Sequence, residues 1–156
     1  MNNAMSVFNA IREGDLAKIK SLIEEDGNLV NEKDQKGFTP LVFTTYMGNL
    51  EITKFLLEKG ANVNEQDVNG NTALMGVCFK GYEEIAQYLI DKGADVNLQS
   101  ANGATALFYA INFGQQDMVK LLVQNGADLS MTDAKGNTAY EQAERQGNQE
   151  VMTMLQ

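Results

Sequence analysis

The sequence predicts an all-α solenoid, in which helix-turn-helix pairs stack in line and β-hairpin-like loops connect them. Two observations carry that prediction. The first is a period of 33 residues. Gly37, Gly70, Gly103 and Gly136 recur with this step, as do Thr39, Thr72, Thr105 and Thr138. Gly48, Gly81, Gly114 and Gly147 keep the same step, as do Gly60, Gly93 and Gly126, and Leu56, Leu89, Leu122 and Leu155 complete the register. Self-similarity at a fixed period of this size is the signature of a repeat architecture. The second observation is that each unit carries the chemistry of two short helices.

The elements of one unit can be justified in chain order. The threonine stands where a first helix begins, so its hydroxyl can cap the free N–H groups there. Pro40 follows Thr39 at the first helical position, where a missing N–H costs nothing, and Ala73, Ala106 and Ala139 take that place in the later units. Leu41, Leu74 and Leu107 then face the core, with Tyr140 in the last unit. Gly48 and its equivalents end the first helix. The second helix is amphipathic: Ile52, Phe55 and Leu56 are spaced i, i+3, i+4, which gives one apolar stripe. Ile85, Tyr88 and Leu89 repeat the stripe, and so do Met118, Leu121 and Leu122. Gly60, Gly93 and Gly126 lie just past this helix, where a left-handed cap is favoured. Asp67-Val68-Asn69-Gly70 and its relatives supply the hairpin turn.

This pattern resembles the ankyrin repeat, a turn followed by two antiparallel helices. The family pattern Asp-x-x-Gly-x-Thr-Pro-Leu-His-x-Ala is matched by Asp34-Gln35-Lys36-Gly37-Phe38-Thr39-Pro40-Leu41. The resemblance covers nearly the whole chain and implies a single ankyrin-repeat domain over residues 1–156. Residues 1–33 form an N-terminal cap, in which Gly14-Asp15-Leu16 and Leu22-Ile23 fit the second helix and one extra residue near Asp26 shifts the register. Full repeats run 34–66, 67–99 and 100–132, and residues 133–156 form a truncated C-terminal cap. End units need a polar outer side, and Glu141, Gln142, Glu144, Arg145 and Gln149 supply it. The family histidine is lost in every unit, where Val42, Met75, Phe108 and Glu141 stand instead. Apolar contact is expected to replace its hydrogen bonds at the first three.

Charge and composition narrow the function. The net charge is −9. Nucleic acid and anionic lipid call for clustered Lys and Arg, so neither partner is expected, and a basic or apolar protein suits the balance better. The N-terminal segment has no basic stretch followed by an apolar one, so no signal peptide is expected. No apolar run reaches the length of a membrane span, and a lone Cys78 points to no disulfide. The expected setting is the cytoplasm.

Chemistry has little to work with. The chain has no His, which removes His bases, His-dependent nucleophile pairs and His-ligated metal sites. Cys78 falls on a first helix, where burial is the expected fate of a small thiol. No phosphate-binding glycine loop occurs, and the calcium-loop-like run from Glu65 to Gly70 has Gly76 where its final Glu belongs. Neither catalysis nor a cofactor or metal is therefore expected. Leu89-x5-Asp95-Val96-Asn97 resembles the ankyrin context that an asparaginyl hydroxylase modifies, although stabilising its turn is the plainer role for Asn97.

The resemblance implies a partner surface made of hairpin tips and the exposed side of the first helices. Register places Phe38, Val68 and Asn71 on the hairpins, and Tyr46, Met47, Phe79, Lys80, Asn112 and Phe113 on the helices. Phe38, Tyr46, Met47, Val68, Phe79 and Phe113 make that surface unusually apolar, and a large exposed apolar patch usually marks an interface. The competing expectation is that Phe79 and Phe113 tilt inward to fill space left by the lost histidines. The expected function is non-catalytic protein binding on this concave face. The alternatives are a regulatory or inhibitory subunit of an enzyme encoded elsewhere, or self-association through the same face.

Overall fold

The computed structural model describes residues 3–156 of the chain, so Met1 and Asn2 of the expected N-terminal cap lie outside it. The described residues form five pairs of helices. The first helices are α1 (Asn3–Glu13), α3 (Pro40–Met47), α5 (Ala73–Lys80), α7 (Ala106–Asn112) and α9 (Ala139–Arg145). Their partners are α2 (Leu16–Glu25), α4 (Leu50–Glu58), α6 (Glu83–Asp91), α8 (Gln116–Gln124) and α10 (Gln149–Met154). A short 3-10 turn over Gly27–Asn31 absorbs the extra residue near Asp26. Each first helix packs on the next first helix, and each second helix from α4 onward packs on the next second helix. That arrangement is the in-line stack the period predicts.

The core runs the length of the stack. Leu56, Leu89 and Leu122 are fully buried, and Leu41, Leu74 and Leu107 nearly so, whereas Tyr140 is half-buried. A seam one residue beyond the predicted stripe is buried as well, at Ile19, Thr53, Ala86 and Val119. The second helices therefore bury more than a single i, i+3, i+4 stripe.

The caps follow the predicted chemistry with one exception. Thr39, Thr72 and Thr138 accept from the N–H of Val42, Met75 and Glu141 through their side chains. Thr105 makes no such bond, so its place at the start of α7 is positional rather than a working cap. The expectation for the lost histidines also needs correction at Met75. Its sulfur accepts from the Thr72 N–H at 3.4 Å, so it reaches back to the cap as a hydrogen-bond partner as well as packing in the core. Glu141 does the same more strongly, at 2.8 Å from the Thr138 N–H.

Side-chain amides tie neighbouring units together. Asn64 donates to the Gly93 carbonyl and accepts from the Asp95 N–H. Asn97 repeats this with Gly126 and Asp128, and Asn31 with Gly60 and Asn62. Asn97 is thus a clip onto the next unit rather than a brace for its own turn, and both ends of its amide are engaged. On the hairpin side, Ala101 donates to the Asn69 carbonyl and Ala134 to the Asn102 carbonyl, each at 2.9 Å.

Thr44 breaks the pattern of satisfied polar atoms. It is completely buried in α3 and its hydroxyl has no hydrogen-bond partner. An orphaned buried hydroxyl costs about 1–3 kcal/mol. The equivalent place in α5 is Val77, also completely buried, so the site accepts that shape. Thr44→Val should stabilise the fold by about 1 kcal/mol, read as a higher urea midpoint with an unchanged slope. An unchanged or lower midpoint would show that the hydroxyl is satisfied in solution.

Candidate partner-binding groove

The hairpins and the first helices share one concave cavity of about 400 Å³. Phe38, Asp67 and Asn71 line it from the hairpin side. Val42, Phe43 and Tyr46 of α3, Met75, Gly76 and Phe79 of α5, and Tyr109 of α7 line it from the helices. The hairpin wall is held rigid. Asp67 Oδ1 accepts from the Asn69 and Asn71 N–H groups, and Asp34 and Asp133 do the same in their own turns. Ser100 holds the equivalent place in the third full repeat, and its buried hydroxyl is left without a partner. Tyr109 closes the far end by donating its hydroxyl to Asn71 Oδ1 at 2.6 Å, across 38 residues of sequence.

An aromatic ladder runs along the helix side. Tyr46 stacks on Phe79 with ring centroids 6.3 Å apart, and Phe79 meets Phe113 edge-on at 4.4 Å. Lys80 lies over the Tyr46 ring, with Nζ 4.9 Å from its centroid, and the Arg12 guanidinium lies 5.1 Å over Phe43. Such cation–aromatic contacts contribute about 0.5–1 kcal/mol at exposed sites and hold both cations beside the groove.

The residues expected at the partner surface divide into groups. Phe38, Tyr46 and Phe79 line the cavity. Met47, Val68 and Phe113 lie outside its lining and are 47%, 72% and 50% exposed. Lys80 is exposed above Tyr46. Asn112 is exposed and accepts from Gln142 Nε2 at 2.7 Å, so it braces the last repeat. The two phenylalanines differ: Phe79 is half-buried between its neighbours, whereas Phe113 stands out in solvent. Register alone equates Asn112 with Phe79, but the ladder continues through Phe113. Position 112 carries a polar Asn, so the ring beside Phe79 comes from the following residue, Phe113.

Gly76 and Phe43 were not singled out by the sequence, yet both shape the cavity. A signal was present at Gly76, since glycine inside a helix costs about 1 kcal/mol against alanine. Among titratable groups, burial pushes the Cys78 thiol far above its ordinary range and leaves it inert. The Asp133 carboxyl is held below its ordinary range, chiefly by the backbone N–H of Asn137.

A stack of helix pairs with a concave, aromatic-lined face defines a repeat-type interaction scaffold. The family profile described as "Ankyrin repeats (3 copies)" matches residues 7–100 and 93–156. The chain belongs to the ankyrin-repeat family, whose repeats are protein-interaction modules. Among curated proteins it is similar to "DNA-binding protein RFXANK" of Homo sapiens, at 34% identity over 55 residues, which is 35% of this chain and 21% of that protein. It is similar to "BTB/POZ domain-containing protein 3" of Schizosaccharomyces pombe at 38% over 53 residues, covering 34% of this chain and 10% of that one. It is also similar to "Ankyrin repeat family A protein 2" of Homo sapiens at 33% over 55 residues, covering 35% and 17%. The chain therefore spans only 10–21% of the length of these relatives, so the likeness is one of repeats.

Proposed function

We propose that the chain is a non-catalytic module that holds a partner protein on its concave hairpin and first-helix surface, with the Tyr46–Phe79–Phe113 ladder at the centre. The observation that carries this reading is a contiguous aromatic run left in solvent: Tyr46 and Phe113 are 45% and 50% exposed. A monomeric surface rarely leaves such a run uncovered, and aromatic residues dominate the energetic centres of interfaces. The DNA-binding description of one relative is not carried over, because a chain of net charge −9 is poorly suited to phosphate backbones. The cytoplasm is the proposed setting, in keeping with a free, buried Cys78.

Tyr46→Ala and Phe113→Ala test the reading. Each should weaken capture of the partner by about 30-fold or more, the effect of losing roughly 2 kcal/mol at a hot spot. Because both rings are already half in water, the melting temperature should move by only a few degrees, as about 1 kcal/mol or less is at stake. Unchanged capture, or capture lost together with the fold, would count against it.

A further inference from the structure

The cavity has a specific cause. Phe43, Gly76 and Tyr109 hold equivalent places in three successive first helices, and all three line it. The side chain missing at Gly76 leaves a gap in the row between the two rings. The backbone does not require this glycine. Gly76 has no left-handed φ, and a Cβ built there would meet only Tyr46 Cδ2, at an ordinary 3.9 Å. A glycine inside a helix is less stable than alanine, so the fold forgoes stability to keep the gap open.

The charge around the gap has a sign. The chain as a whole is acidic, yet the charged side chains resting on the groove's rings are cationic, Arg12 on Phe43 and Lys80 on Tyr46. Asp67, the carboxylate in the lining, already serves two backbone N–H groups through Oδ1. Many of the other acidic groups lie away from the groove, with Glu51, Glu58, Glu84 and Asp91 exposed on the second helices.

Resting on the concave-face reading above, we propose that the partner supplies the missing side chain. An extended acidic segment of the partner inserts one bulky apolar residue, aromatic or leucine, into the gap at Gly76, and its carboxylates meet Lys80 and Arg12. The size fits, because a dry cavity of about 150 Å³ already holds a benzene ring and this one is about 400 Å³. The sign of the partner follows from the groove and is opposite to the basic partner that the net charge alone suggests.

A phage-displayed library of random peptides, panned against the full chain at low salt, provides the probe. Enriched peptides should share one Phe, Tyr, Trp or Leu flanked by Asp or Glu. Gly76→Leu should weaken them by about 30-fold or more by filling the gap. Gly76→Ala should weaken them less while raising the melting temperature by about 2–4 °C, so that binding and stability move in opposite directions. Lys80→Glu should cost about tenfold in binding, with a weaker salt dependence. The proposal is overturned if nothing is enriched, if the enriched peptides are basic or lack the apolar anchor, or if folded Gly76→Leu and Gly76→Ala both bind as well as the parent. If Tyr46→Ala abolishes binding while the Gly76 variants do not, this inference fails and the concave-face reading stands. If none of these substitutions affects binding, both fail.

Discussion

Gly103→Ala should destabilise the chain by about 3–5 kcal/mol, a cost usually reserved for core residues. Gly103 has φ +75°, and a Cβ there would lie 2.6 Å from the Ala134 nitrogen and 2.9 Å from the Asp133 carbonyl carbon. Both are backbone atoms of the next hairpin, which cannot swing aside as the tip of a side chain can. The left-handed backbone alone accounts for about 1–2 kcal/mol. Pushing the hairpins apart adds strain and breaks the bond from the Ala134 N–H to the Asn102 carbonyl, worth about 1 kcal/mol. Gly126→Ala is the control. Its φ is +90° but a Cβ there meets nothing within 4 Å, so only the backbone term of about 1–2 kcal/mol remains. Urea melts of the two variants should differ clearly in midpoint. Equal midpoints would mean that the hairpins do not stack as closely as described.

Leu89→Ala should cost about 2–5 kcal/mol. Leu89 is completely buried in α6, whose helix packs against both α4 and α8. The cavity opens inside the middle of the stack, and in a nearest-neighbour array a damaged central unit weakens its coupling to both sides. A broadened or two-step melt should therefore accompany the loss, as the two halves begin to unfold separately. Leu155→Ala removes the equivalent leucine at the chain's end, where the side chain is 6% exposed and only one neighbouring unit depends on it. It should cost about 1–2 kcal/mol and leave the transition sharp. A single sharp transition for Leu89→Ala with a cost below about 1 kcal/mol would contradict this account of the core.

The difference between these paired variants also marks how much of the fold is legible in the sequence. Leu89 and Leu155 are visible as equivalents because one period places them on the same stripe, and so are the threonine starts and glycine ends of the helices. What the period conceals is how each unit meets the next. Asn64 and Asn97 look like turn residues, yet their amides bond to the following unit about thirty residues away. The close approach at Gly103 is invisible for the same reason: nothing in a single repeat distinguishes it from Gly136, its equivalent in the last unit, which faces open space.

The groove was legible in part. Phe38, Tyr46 and Phe79 could be placed by register, because side chains at equivalent positions of identical units point the same way. Phe113 could not be placed firmly, because register equates it with Met47 and Lys80 rather than with Tyr46 and Phe79. The gap at Gly76 was harder still. It is defined by what is absent between Phe43 and Tyr109, whereas the repeat pattern is carried by the side chains that are present. The proposed acidic partner departs from the basic one that the net charge suggests, because −9 sums over the whole surface whereas the proposal rests on the few charges beside the rings.

Amide hydrogen exchange of the chain with and without its captured partner tests the central claim most directly, because it reports which face is covered. The account predicts slowed exchange along the hairpins and first helices, across Phe38–Met47, Val68–Lys80 and Ala104–Phe113, with α4, α6 and α8 unchanged. Protection confined to those second helices, around Glu58, Glu84 and Asp91, with the aromatic ladder exchanging as freely as before, would contradict it.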